Sequence, residues 1–128
     1  MSHPSVENII PPRPLTPREQ ELLQYLLQAE FPGKQALVKQ AETLLVSGHC
    51  ACGCASILFR VDTTSAPSAL VQRRIPVEAE GADMDGVIIH FLLHVVQGWL
   101  SELEIFREDS EPILKLPPTK TLQVLILD

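Results

Sequence analysis

The chain is short of three things, and each shortage closes off a class of protein. No apolar run reaches the ~18 residues that a membrane-spanning helix needs, so no membrane span is expected. Positive charge is scarce: ten Lys and Arg stand against sixteen Asp and Glu, for a net charge of -6. The basic residues are scattered instead of forming the face that phosphate contacts require, which argues against a nucleic-acid partner. Arg73-Arg74 is the only basic doublet and reads as a solvated strand edge. Chemistry-bearing motifs are missing as well. There is no serine nucleophile elbow, no phosphate-binding glycine loop and no dinucleotide fingerprint. Gly81 to Gly86, around Asp83 and Asp85, lacks the oxygen ligands and closing glutamate of a calcium loop and reads as an acidic turn. No enzyme with a nameable mechanism and no cofactor is therefore expected. The N-terminus, from Met1 to Asn8, lacks the basic start and apolar core of a secretory signal. The expectation is a cytoplasmic protein with free thiols.

What is present suits one compact domain. At 128 residues and 45% hydrophobic, folding should bury roughly two thirds of the unfolded chain's surface. Prolines at 4, 11, 12 and 14 remove backbone donors, so residues 1–15 read as an extended arm and 16–128 as a single α+β domain. Thr16-Pro17-Arg18-Glu19 is a helix start, with Thr16 as cap, Pro17 at the first helical position and Glu19 closing a capping box. Leu22, Leu23, Leu26 and Leu27 follow at helical spacing, and Phe31-Pro32-Gly33 stops a helix expected over 17–30. Leu37, Val38, Ala41, Leu44 and Leu45 repeat the pattern, with Gly48 placed to end a second helix, and together the two make a hairpin. Ile57, Phe59 and Val61 then alternate with polar residues as a half-buried strand does, and Ile75, Val77 and Ala79 do so more weakly, with Pro76 pushing that strand toward a sheet edge or an irregular pairing.

Val87 to Val96 and Trp99 to Arg107, either side of Gln97-Gly98, form a β-hairpin whose register follows from its faces. Pairs at positions summing to 195 would set Leu93 against Glu102 and Phe91 against Glu104, burying carboxylates against the most apolar face. A sum of 196, with a three-residue loop and Gly98 or its neighbour absorbing a bulge, pairs Leu93 with Leu103 and Phe91 with Ile105. It also sets His94 opposite Glu102, Leu92 opposite Glu104 and His90 opposite Phe106. The apolar tail, Leu122 to Leu127, must dock: on its own domain by preference, otherwise against another copy of the chain. The expected fold is α+β, a two-helix N-terminal hairpin packed on one face of an antiparallel sheet of about four strands.

Two constellations are candidates for chemistry. His49, Cys50, Cys52 and Cys54 gather every cysteine of the chain within five residues. Zinc usually takes ligands from two separate clusters, and here there is no second one. A packed junction of small residues is the preferred reading, with a zinc or thiol-redox site as the alternative. His90, His94, Glu102 and Glu104 share the second face of the hairpin, where they can bind a divalent ion, exchange protons, or simply pair across strands.

Several stretches together carry a resemblance. Leu15-Thr16-Pro17-Arg18-Glu19, Phe31-Pro32-Gly33, Gln40, Cys52-Gly53-Cys54-Ala55-Ser56-Ile57 and Leu103-Glu104-Ile105-Phe106 resemble a family of small bacterial proteins with no assigned activity. Its members share a helical hairpin, a Cys-Gly-Cys-x-Ser junction and a Leu-Glu-Ile/Val-aromatic strand. The resemblance spans about residues 15 to 118 and implies a bacterial, cytoplasmic, single-domain protein. Small acidic proteins of similar build serve as toxin immunity factors, an analogy of size and charge. The sequence thus points to a non-catalytic protein-interaction module, with zinc as the alternative cofactor and the oligomeric state open.

Overall fold

The computed structural model describes residues 7–50 and 55–126, with the backbone alone at residues 7–10 and Cys50. Seven strands form one antiparallel sheet, β1 (Glu7–Pro14), β2 (Leu45–Cys50), β3 (Ile57–Arg60), β4 (Val77–Ala82), β5 (Ile88–Val96), β6 (Trp99–Arg107) and β7 (Gln123–Ile126). Their order across the sheet is β1-β2-β3-β6-β5-β4-β7. Two helices, α1 (Pro17–Leu27) and α2 (Lys34–Ala41), lie between β1 and β2 in sequence.

The fold is α+β, but it corrects the expected architecture. The sheet has seven strands, not about four, and a strand precedes the helices, so no helical hairpin opens the fold. Three strands account for the difference. Residues 7–14, read as an arm, pair with β2, and the ladder breaks between Ile9 and Arg13, around Pro11 and Pro12, which have no N–H to give. Residues 45–50, read as the end of the second helix and a junction, form β2. Helix α2 ends at Ala41, and Gly48 is a strand residue opposite Leu58 instead of a helix cap. The tail adds β7 to β4, so it docks on its own domain.

Helix α1 begins as its sequence dictates. Thr16 Oγ1 accepts the Glu19 N–H at 3.2 Å, the Glu19 carboxylate accepts the Thr16 N–H at 2.9 Å, and Pro17 follows. Its leucine stripe, Leu22, Leu23, Leu26 and Leu27, is buried. These leucines pack with Leu37, Val46, Ile57, Val77, Ile89, Phe91, Leu93, Leu103 and Ile105 in a single core. Each such side chain contributes about 1.5–3 kcal/mol by leaving water.

Three buried polar groups tie the loops to this core. Gln40 donates to the carbonyls of Pro67 and Gly98 and accepts the Leu100 N–H, so it holds the 61–76 loop against the β5–β6 turn. Ser56 Oγ accepts the Ile105 N–H at 2.8 Å and donates to the Ile105 carbonyl at 3.2 Å, extending the β3–β6 ladder beyond its backbone pairs. Arg107 binds Asp83, Asp85 and Asp109, and Asp83 also accepts the N–H groups of Met84, Leu114 and Lys115. Burial pushes the Asp83 carboxyl up, but those three N–H donors and the guanidinium hold it at about 2. Arg107, with a further N–H from Glu111, likewise holds Asp109 at about 2. The loop after β6 is thereby fastened to the β4–β5 turn on the side of the helices.

The hairpin register is the one its faces require. Leu93 faces Leu103, Phe91 faces Ile105, His90 faces Phe106 and His94 faces Glu102. The turn corrects the expected three-residue loop: it has two residues, Gln97 and Gly98, both with positive φ, and the extra residue is absorbed within β6, at Ser101, and not at Gly98 or its neighbour. Gly98 is needed there twice over, because a Cβ would also sit 2.7 Å from the Ala69 carbonyl oxygen.

Candidate functional site

Strand alternation divides the sheet into two faces with different fates. Helices and core occupy one. The 61–76 and 108–118 loops are anchored on that same side through Gln40, Asp83 and Arg107. The opposite face presents Leu58 and Arg60 of β3, Glu102, Glu104 and Phe106 of β6, His90, Leu92, His94 and Val96 of β5, and Glu78 and Glu80 of β4. Most of these side chains are half-buried.

All four sequence-predicted residues of the hairpin stand together on this open face. His94 Nε2 lies 2.8 Å from Glu104 Oε1, a diagonal contact across the strands, although His94 is directly opposite Glu102. Arg74 Nε donates to His94 Nδ1 at 3.1 Å, so Nδ1 is an acceptor and the ring proton sits on Nε2, facing the carboxylate. His90 Nε2 reaches Glu108 Oε1 at 3.0 Å, and its ring stacks on Phe106 with centroids 5.2 Å apart. Arg74, Phe106 and Glu108 were not singled out from sequence. For Glu108 and Phe106 the 196 register already held the signal, whereas Arg74 lies beyond the irregular Pro76 and gave none.

Both nitrogens of His94 are thus engaged, and among the described residues no three His, Cys, Asp or Glu side chains are grouped to hold a metal ion. Four clefts of about 380 to 540 Å³ open elsewhere, and none of the four is lined by His90, His94, Glu102 or Glu104. The largest is bounded by Arg18, Asp83, Met84, Lys115 and Pro117, beside the Arg107 cluster. What the open face offers is a strip of apolar and aromatic side chains, Leu58, Leu92, Val96 and Phe106, set among glutamates.

The second constellation falls mostly outside the described residues, which exclude Cys52, Cys54 and the Cys50 side chain. His49 is described. The bulge in β2 between Val46 and Gly48 turns it to the helix side, where its Nε2 lies 3.4 Å from Arg13 Nη2. Arg13 forms a two-pronged ion pair with Glu19 at 2.9 and 3.0 Å. Burial raises the Glu19 carboxyl, but Arg13 and the Thr16 N–H outweigh it and leave the group below its ordinary value.

With this geometry in view, residues 12–117 match one protein family, Domain of unknown function (DUF6984). The chain belongs to that family. No curated protein and no solved structure matches it. The span shared with the DUF6984 family takes in both helices and β2 through β6, and hence the whole open face of the central hairpin; β7 lies beyond it. The family description carries no activity that could be transferred to these residues.

Proposed function

We propose that this protein is a non-catalytic interaction module of the bacterial cytoplasm whose open sheet face receives a basic, aromatic- or aliphatic-bearing segment of a partner protein. One observation carries the reading: on this face Leu58, Leu92, Val96 and Phe106 are interleaved with Glu78, Glu80, Glu102 and Glu104, with Glu108 beside His90, so acids outnumber the cations Arg60 and Arg74 among the described residues placed there. Apolar and aromatic side chains interleaved with acids offer a protein partner both contact area and charge. The negative charge selects cationic partners and speeds their approach. The same charge repels phosphates, so nucleic acid is not the partner. The histidines act as recognition groups here, since each ring is already bonded to a glutamate and neither lines any of the four clefts described above. An immunity-like role, in which an acidic face masks a basic toxin, fits this chemistry.

The test places a photoreactive phenylalanine at position 92 of the intact chain and, as control, at Gln20, an exposed position of α1. Crosslinking in bacterial cells is expected to capture a basic protein from position 92 only. The adduct should weaken at least tenfold when Glu80 and Glu104 are both replaced by Arg. Equal capture from both positions, or capture of an acidic protein that survives the charge reversal, sinks the proposal.

A further inference from the structure

The two ends of the sheet are finished differently. At one end β1 carries Pro11, Pro12 and Pro14, which cannot donate to an added strand, and its ladder is already irregular. At the other end β7, Gln123–Ile126, has no proline, no charged residue and no bulge, and it runs in unbroken register along β4 for all four residues. Leu125 and Ile126 are 38% and 41% exposed. Among the described residues nothing pairs with its outer edge. Nor is the strand loosely held. Tyr25 Oη donates to the carbonyls of Lys120 and Leu122, and Thr119 Oγ1 donates to Glu21, so α1 fixes the chain just before β7 begins. A rigid, apolar, unguarded edge is a template for another strand.

We infer that this edge pairs with β7 of a second copy of the chain, joining two sheets into one. The strand is complementary to itself. Two copies related by a two-fold axis normal to the sheet must pair residues of the same face, and Val124 and Ile126 face the helices while Leu125 faces the open side. A register centred on Leu125 therefore sets Leu125 against Leu125 of the copy, and Val124 against Ile126 on either side. Across residues 124–126 every pair in this register is apolar, and Gln123 falls outside those pairs. The seam is short, so the dimer is weak and comes apart on dilution. Each copy carries a net charge of -6, so salt, by screening the repulsion, strengthens it. The two open faces then lie in one plane, as a surface with two binding strips. This inference does not depend on what those strips bind.

Sedimentation and light scattering on the intact chain, from micromolar to millimolar concentration, test it. The expected result is a mass that rises from 14.2 kDa toward twice that value, more readily at high salt, with hydrogen exchange of the 123–126 amides slowing in step. Leu125→Lys and Ile126→Lys put a cation on the edge at exposed positions, Leu125 facing Glu78 across the strands, so the fold is retained. Both are expected to stay monomeric with unchanged circular dichroism, and Ile126→Lys, which lies on the helix side opposite Val77, with unchanged crosslinking from position 92. A strictly monomeric wild-type chain overturns the inference, as does a dimer that survives both lysines. So does slowed exchange at β7 that appears only when a different protein is added.

Discussion

On β5, Ile89, Phe91 and Leu93 are 0% exposed, while His90, Leu92 and His94 between them remain partly open to water. The same strand thus serves two environments at alternate residues, and the two are held in place by different physics. On the helix side, position is fixed by close packing, which tolerates little change in volume. On the open side it is fixed by pairwise bonds, His94 to Glu104 and His90 to Glu108, each weakened by the water beside it. Stability belongs to the first face, and the proposed recognition belongs to the second.

The contrast breaks most visibly at Phe91. Phe91→Ala is expected to cost about 3–5 kcal/mol through lost burial and the cavity left behind, whereas Leu92→Ala, one residue away, costs about 1 kcal/mol or less. Urea unfolding of the two variants measures the difference directly, and equal costs would mean that the open face is covered in solution.

A middle-sized effect belongs to the polar cluster on the packed side. Asp83 and Asp109 are held at about 2 when folded, below the ordinary 3.8. A depressed carboxylate contributes fully above its unfolded value and loses its contribution as pH falls through the folded one. The urea midpoint should therefore drop between about pH 4 and pH 2. Arg107→Met leaves buried Asp83 without its cation and should lower Tm by about 10 °C or more at neutral pH, with a shallower fall in acid. A Tm within a degree of wild type would show that the guanidinium is dispensable there.

The smallest effect sharpens the comparison from the other side. His94→Gln or Glu104→Gln should change stability by under about 1 kcal/mol at neutral pH, while partner capture from position 92 falls. A large loss of stability in either variant would move the pair from recognition to architecture.

The hairpin was the most legible part of the molecule. Its register came from asking which faces tolerate glutamate, and the structure pairs Leu93 with Leu103 and His94 with Glu102 on that logic. The α1 start was equally readable, because Thr16, Pro17 and Glu19 act within one turn. The extra strands were not. Leu44, Leu45 and Val46 continue an apolar rhythm that suits a helix as well as a strand, and only the presence of β1 and β3 on either side decides for the strand. The prolines of β1 disguised it as an arm, since the same residues that spoil a ladder are tolerated at its edge. The polar cluster was hidden for a similar reason: Asp83 looked like one more acid in a turn until Arg107 arrived from another hairpin.

By itself, then, the sequence determined what depends on neighbours along the chain: the α1 cap, the leucine stripe, and the alternation that sorts β5 and β6 into two faces. Tertiary structure alone decided how many strands the sheet has, which edge is left open, that His49 turns toward Arg13, and that Arg107 gathers three aspartates. Those features rest on pairings between residues far apart in sequence, where backbone groups take whichever partner the rest of the fold brings to them, and no local pattern records that choice.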